Sequence, residues 1–444
     1  MKKRILWASD STFIPTGFSN QSNYICRQLA QQNEILYWSH QYGGAEGVQV
    51  WKPDGGLEPW VHLPTHVGPY GQGNMEQQIR RFNPAIVSWL CDSFMLTQAQ
   101  PHTGPYNEWA IKMIKNLKKD GSITKFMHYF PLDSPDVYQG LEEELSVMDV
   151  RVAMSRFARD FVKKETGLDS HYIPHCTDTN IFQPLAPELK TQLRQRSNLE
   201  GKFVIGSVGR NQSRKMPHRL AYIMAEFCQD KSDVVCLLHC DPFDPQAGVA
   251  TKELINGATP FVYTKYIQHV KNNLKKEGFK EVNVFTHRDN RGNEVRFTGV
   301  NWSTGFPQQT VNEIYNVMDV HTMPTTGEGF GITTIEAMAA GIPCAVTDTT
   351  TSQELLLEDG QCGIPVPWNN FINGGLNTKR VLVDSTAYCN ILEQYYNSDA
   401  LRKKHGETGR EKAVSLYSLQ TVLPQWSSLM KNVLEEESGI KCVV

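Results

Sequence analysis

The chain has little net charge. Its 44 Lys and Arg face 47 Asp and Glu, leaving −3 over 444 residues with His neutral. Such a balance excludes a histone-like or polybasic nucleic-acid binder, although a local basic patch remains compatible with it. Long apolar runs are missing too. The run after Met1-Lys2-Lys3-Arg4 ends at Ala8, before Ser9 and Asp10, which is far short of a secretory leader. Nowhere does the chain approach the roughly 18 consecutive apolar residues of a membrane-crossing helix. Paired cysteine spacing is absent: the ten cysteines include no C-x-x-C, excluding a zinc ribbon or a disulfide scaffold. Cys236 and Cys240 flank a strand-like run, where no turn converges them on a metal. Reduced thiols in a cytoplasmic protein are the expectation, with peripheral membrane attachment left open. With 40% hydrophobic and 20% charged residues, disorder is excluded as well.

What is present is alternation. Apolar strand-like runs at 4–8, 35–39, 85–90, 123–130 and 149–155 are separated by helical patterns at 19–31, 77–82 and 109–119. A Gly/Pro-rich stretch covers 43–74, and 180–189, with Pro184 and Pro187, reads as a linker. A second series follows. Strands are expected at 203–209, 234–239, 295–298, 320–323 and 343–347. Helices are expected at 218–227, 310–316 and 333–340, with terminal helices from about 385. Between 241 and 294 lies an insertion with a helical pattern over 262–277 and a tight turn at 289–292. Strands alternating with helices predict doubly wound parallel sheets, one in each half.

Four stretches carry chemistry. Gly327-Glu328-Gly329-Phe330-Gly331-Ile332 follows a predicted strand and opens a helix. Its glycines permit a tight backbone and leave bare N–H groups at a helix N-terminus, where an anion is favoured. A plain structural turn explains the glycines equally well. The carboxylates sharpen the choice: Glu328 in the loop and Glu336 in the helix would repel a phosphate, so they should accept hydrogen bonds from vicinal hydroxyls instead. A ligand with both phosphate and polyol parts, a nucleotide sugar, fits both features. Gly209-Arg210-Asn211-Gln212-Ser213-Arg214-Lys215 also follows a strand, so Arg210 and Lys215 can reach the same crevice and offset a diphosphate. Gly17, between the first strand and helix, allows close backbone approach to a ligand. In Phe126-Met127-His128-Tyr129-Phe130-Pro131-Leu132-Asp133, His128 reads first as a core histidine, and Asp133 is better placed to face a cleft.

Glu328 and Glu336, with seven residues between them inside Gly-Glu-Gly-Phe-Gly…Glu-Ala-Met-Ala-Ala-Gly-Ile-Pro, resemble the E-x7-E signature of retaining family-4 glycosyltransferases. Gly209-Arg210…Lys215 is similar to that family's diphosphate clamp, and Ile173-Pro174-His175…Phe182-Gln183-Pro184 to the segment closing its N-terminal domain. Val295-Arg296-Phe297-Thr298-Gly299 and Tyr315-Asn316…Asp319-Val320 also fit. The resemblance covers 172–366 well and the first 170 residues only weakly. It implies an α/β protein of the GT-B fold: two Rossmann-like doubly wound parallel-sheet domains facing a central cleft. The N-terminal domain would span 1–185 and bind the acceptor. The C-terminal one would span 200–417 and bind the nucleotide sugar, and a helix at about 418–444 would pack back on the first.

By the same resemblance, Glu336 binds the donor ribose and Glu328 the transferred sugar. Arg210 and Lys215 stabilise the leaving diphosphate, helped by Gly329, Phe330, Gly331 and Ile332, with Gly17 approaching the donor. No metal and no cofactor is implied, and a UDP-sugar is favoured over a GDP-sugar. Asp133 is the candidate for base assistance, and Asp133 and His128 are the candidates for the acceptor. The acceptor itself is a glycan, a lipid-linked sugar or a polyanion such as nucleic acid. Two features bear on it: the lysine-rich helix at 109–119, read as a solvated face ahead of a membrane or polyanion site, and the aromatics Trp38, Tyr42, Trp51, Trp60 and Tyr70, which either line a groove or pack a core. A catalytically silent sugar-nucleotide or carbohydrate binder of the same fold is the alternative, and an epimerase or phosphorylase a more distant one.

Overall fold

The structure is a computed structural model. It describes residues 2–435 apart from 41, 43, 50, 53–55, 66–69, 98–107, 139, 241–283, 289–290, 299–304 and 375–376. The chain divides into two compact units: Met1–Cys176 with Gly374–Thr378 and Leu419–Val444, and Thr177–Asn373 with Lys379–Ser418.

The first unit is built on a seven-stranded parallel sheet. Its strands lie side by side in the order Trp60–Pro64, Glu34–His40, Arg4–Asp10, Ile86–Leu90, Lys125–Phe130, Val150–Ala153 and His171–Tyr172. Ile5, Leu6, Trp7 and Ala8 are all fully buried. Consecutive apolar residues are what a sheet covered on both faces requires, in place of strict alternation. Chain order reverses between Arg4–Asp10 and Ile86–Leu90, and at such a switch point the loops leaving the two strands part and open a crevice. The helix Leu419–Glu435 belongs to this unit: Trp426 meets Trp7 edge-on at 5.8 Å and Tyr129 at 4.7 Å between ring centroids.

The second unit repeats the plan. Its strands run Val284–Arg288, Glu294–Thr298, Val234–His239, Phe203–Val208, Val320–Met323 and Cys344–Val346, with only the first pair antiparallel. Here the switch point falls between Phe203–Val208 and Val320–Met323. Both units are Rossmann-like, as expected.

Several segments differ from the sequence reading, the unanticipated helix Arg156–Thr166 and strand Val284–Arg288 among them. The Gly/Pro-rich stretch conceals the strand Trp60–Pro64, and the presumed linker runs into the helix Pro187–Arg196, with Pro187 in its first turn. Proline reads as a breaker, yet at a helix start its missing N–H costs nothing. The hairpin Trp368–Asn373 with Lys379–Val383 had no clear signal, since its first strand is exposed throughout. The helix expected over 262–277 lies outside the described residues.

Of the proposed groove aromatics, Trp38 and Trp60 are core residues, which removes them from a surface role. The helix Trp109–Lys119 spends its apolar stripe on the core: Ala110, Met113, Ile114 and Leu117 are buried, and Lys118 pairs with Asp149 at 2.8 Å. A helix whose apolar face is already covered has none to offer a bilayer. Among the described residues, no helix is long and apolar enough to cross a membrane, no group of three or more His, Cys, Asp or Glu is placed to hold a metal, and no cysteine is disulfide-bonded.

Candidate active site

At the switch point of the second unit two loops are tied together. One leaves Phe203–Val208 through Gly209 and ends in a short 3-10 turn, Ser213–Lys215. The other leaves Val320–Met323 and passes through Thr325 to Gly331 before the helix Ile332–Ala339. The Thr326 amide donates to the Arg214 carbonyl at 2.7 Å, and the Arg214 guanidinium donates to the Gly327 carbonyl at 2.9 Å. Each loop therefore holds the other's backbone.

Glycine is needed at two places. A Cβ on Gly209 would sit 3.1 Å from Lys215 Nζ, so the bare backbone is what lets the lysine fold over it. Gly331 has φ +107° and no room for a side chain, its virtual Cβ lying 2.9 Å from Leu355. It precedes the helix without any side-chain cap, which leaves first-turn N–H groups for a ligand. Phe330 is buried, its ring against Tyr417, and its carbonyl accepts from Thr351 Oγ1 at 2.6 Å. Thr350 stands at φ +48°, unfavourable for a β-branched residue. Its hydroxyl accepts from the Glu328 amide at 3.2 Å and donates to the Glu328 carbonyl at 2.9 Å. Two hydrogen bonds offset the strain and clamp the Glu328 backbone.

The two carboxylates are shifted in opposite directions. Glu328 lies 2.8 Å from Arg214 and 3.8 Å from Lys215, and accepts from Thr325 Oγ1 at 2.9 Å. Burial pushes its carboxyl up, but the two cations and these hydrogen bonds outweigh burial and hold it at about 2. Glu336 is buried on the helix with one close polar partner, the Tyr315 hydroxyl at 2.9 Å. Burial raises it to about 7, against the Tyr315 hydrogen bond and the Lys215 charge. Lys215 is itself pulled down by burial and supported by Glu328. Arg210 and Lys215 line one recess with Gly209, Pro217 and Met323. Arg214 and Lys215 thus stand beside Glu328, and Lys215 shares its recess with Arg210, a clustering of cations that suits an anionic ligand.

The loops bring together Arg210, Lys215, Glu328, Gly329, Phe330, Gly331, Ile332 and Glu336 within the second unit. Arg214 and Tyr315 lie in stretches singled out from the sequence, but no role was read for either. Arg214 stood inside the quoted basic loop, but nothing in spacing says which arginine meets the carboxylate. Tyr315 is 21 residues before Glu336, a separation without periodic meaning.

Gly17, Asp133 and His128 belong to the first unit. Gly17 begins the helix Gly17–Leu29, capped by Thr16, and Asp133 follows the strand Lys125–Phe130, half-buried. His128 is fully buried, with Nδ1 at 2.9 Å from Glu144 and Nε2 at 3.1 Å from the Cys91 carbonyl. Both ring nitrogens are spent inside the core, so the core reading holds and His128 is withdrawn as an acceptor contact.

Comparisons with known proteins fall on the same region. Residues 202–374, less than half of the chain, match the family model described as glycosyl transferases group 1. The capsular polysaccharide biosynthesis glycosyltransferase CapM of Staphylococcus aureus is 28% identical over 125 residues, 28% of this chain and 29% of the relative. An MMP alpha-(1->4)-mannosyltransferase of Mycolicibacterium hassiacum is 24% identical over 193 residues, 41% of this chain and 44% of the relative. The chain thus spans less than half the length of these curated relatives. Among solved structures, sucrose-phosphate synthase from Thermosynechococcus elongatus aligns with TM-score 0.67 at 14% identity, covering 98% of this chain and 100% of that one. Anabaena HepE in complex with UDP and glucose aligns with TM-score 0.63 at 15% identity, covering 97% and 100%. At such identities the likeness shows the fold, which is GT-B.

Proposed function

We propose that the protein is a glycosyltransferase that moves a sugar from a nucleotide-diphosphate sugar to an acceptor hydroxyl with retention of anomeric configuration and without a metal. The observation that carries this reading is the junction of Arg210, Arg214 and Lys215 with the ionised Glu328 and the buried Glu336 at one switch point. The group 1 match over the same residues supports it.

Lys215 and Arg210 take the diphosphate, and the N–H groups at the start of Ile332–Ala339 assist. Glu336 accepts from the ribose. Glu328, anionic throughout the neutral range, accepts from hydroxyls of the transferred sugar and does not serve as a proton donor. As the bond from the anomeric carbon to the phosphate oxygen breaks, the acceptor oxygen bonds to the same face of that carbon. The acceptor proton passes to the departing phosphate, which leaves Asp133 at most a secondary base. The charge that develops is met by fixed side chains and a helix end, which supports a reaction that needs no metal. A UDP-sugar is the favoured donor, and a glycan or lipid-linked sugar the favoured acceptor.

The test is a panel of UDP-, ADP- and GDP-sugars read by thermal shift, then by release of free nucleoside diphosphate with and without EDTA. One donor should raise the melting temperature and turn over equally in EDTA, and the product anomer should match that of the donor. Stabilisation without turnover across broad acceptor pools would favour the silent binding protein instead. A transfer rate that falls steeply with salt would mark a polyanionic acceptor.

A further inference from the structure

Tyr315 stands at the end of the helix Gln308–Asn316, fully buried, with its ring against Phe182 at 6.1 Å and His321 at 5.7 Å between centroids. Its hydroxyl is 2.9 Å from Glu336 Oε2 and 3.0 Å from the Thr333 carbonyl. A phenol has one hydrogen and two lone pairs, so this position serves both states of the carboxyl. When Glu336 is ionised, the phenol donates to Oε2. When Glu336 holds a proton on Oε2, that proton points to the phenolic oxygen and the phenol donates to the Thr333 carbonyl. In either state Oε2 is taken up by Tyr315 and Oε1 is left for a ligand. The helix backbone, through Thr333, anchors the arrangement one turn from Glu336 itself. The packing of the ring accounts for the ring, but not for a hydroxyl aimed at a buried carboxyl.

Resting on the reading that Glu336 meets the donor ribose, we propose that Tyr315 is a positioning residue that sets discrimination for a ribose hydroxyl, by holding Glu336 in one rotamer with Oε1 presented to the nucleotide. Burial favours the protonated acid; the phenol hydrogen bond, ahead of the Lys215 charge, keeps the ionised form within reach at neutral pH. Without it, the carboxyl swings and protonates more readily, and the preference for ribose weakens.

The experiment compares equilibrium binding of UDP and 2′-deoxy-UDP, with the ADP and GDP pairs alongside, in the wild type and Tyr315→Phe, which keeps the ring. The wild type should prefer the ribonucleotide by about tenfold or more, as loss of one charged hydrogen bond requires. In Tyr315→Phe the ratio should collapse to within about threefold. Affinity for inorganic pyrophosphate, which has no ribose, should hold steady. A retained ratio in Tyr315→Phe overturns the proposal and leaves Tyr315 as packing. No ribose preference in the wild type, with UDP still bound, overturns the ribose contact of Glu336 and this proposal with it. Failure of every nucleotide to bind sinks the donor reading itself. Should Tyr315→Phe not fold, Tyr315→Met, which also lacks the hydroxyl, takes its place: a collapsed ratio sustains the proposal, and a retained one refutes it.

Discussion

The two units share a topology but treat buried carboxylates differently. In the first, Glu144 is matched with His128, and Glu58 with His62 at 2.7 Å; all four side chains are fully buried. His62 Nδ1 also meets Ser39 Oγ, and Thr12 Oγ1 donates to Glu58 at 2.5 Å. Each carboxylate there has one histidine; Glu58 has the Thr12 hydroxyl as well, while Glu144 Oε2 has no hydrogen-bond partner among the described residues. In the second, Glu328 faces two cations, a third lines the same recess, and Glu336 has a phenol in place of a cation. More than one cation therefore gathers near a carboxylate in the second unit, where the first offers each carboxylate a histidine. Clustered cations attract an anionic ligand; a carboxylate beside one histidine does not.

The contrast can be broken most sharply at Lys215. Lys215→Ala should abolish nucleoside diphosphate release, by about a thousandfold or more, with little change in melting temperature because Arg214 still pairs Glu328. Normal turnover would remove the clustered-cation reading. Next is His128→Phe. It leaves Glu144 buried without its partner, at about 3–5 kcal/mol of stability by urea unfolding. Turnover per folded molecule should stay at the wild-type level, and a specific catalytic defect would return His128 to the site.

A smaller effect belongs to Glu336. Its folded value of about 7 lies above the usual carboxylate value of 4.5. Between these limits the folded state binds more protons than the unfolded chain, so stability falls as pH rises from 4.5 to 7. Glu336→Gln should flatten this slope, gaining roughly 2 kcal/mol over the wild type at pH 8 relative to pH 5. Parallel curves for the two proteins would refute the raised carboxyl.

Arg214→Met is the mildest. Glu328, held at about 2, contributes stability above 4.5 that is lost as pH falls toward 2. Without Arg214 the folded carboxyl rises toward 4.5, so the stability lost between pH 4.5 and 2 should shrink, and turnover at neutral pH should drop about tenfold (~1.4 kcal/mol). An unmoved acid limb would show that Lys215 alone sets the carboxylate.

Much of the fold was legible because a parallel strand buried on both faces is a run of apolar residues. Val234–His239 and Val320–Met323 read correctly to the residue for that reason. Trp109–Lys119 likewise follows from its helical stripe. Trp60–Pro64 was hidden by the glycines and prolines around it, and Trp368–Asn373 by its exposure, which leaves no burial pattern to read. In the site, that Gly209, Lys215, Glu328 and Glu336 come together was legible because both stretches follow strands of one sheet. His128 was ambiguous, since a mid-strand histidine needs its partner known, and Glu144 lies 16 residues on.

The amino-acid sequence on its own determined the Rossmann plan of each unit, through apolar runs and helical stripes, and the presence of a Gly-rich turn with two acids after one strand and a basic loop after another. Only the tertiary structure decided which arginine meets Glu328, that Tyr315 reaches Glu336, and that one carboxyl is ionised while its neighbour sits near neutrality. Periodicity records which way a side chain faces its own element. Charge state depends on burial and on partners many residues distant, and those exist only once the chain has closed on itself.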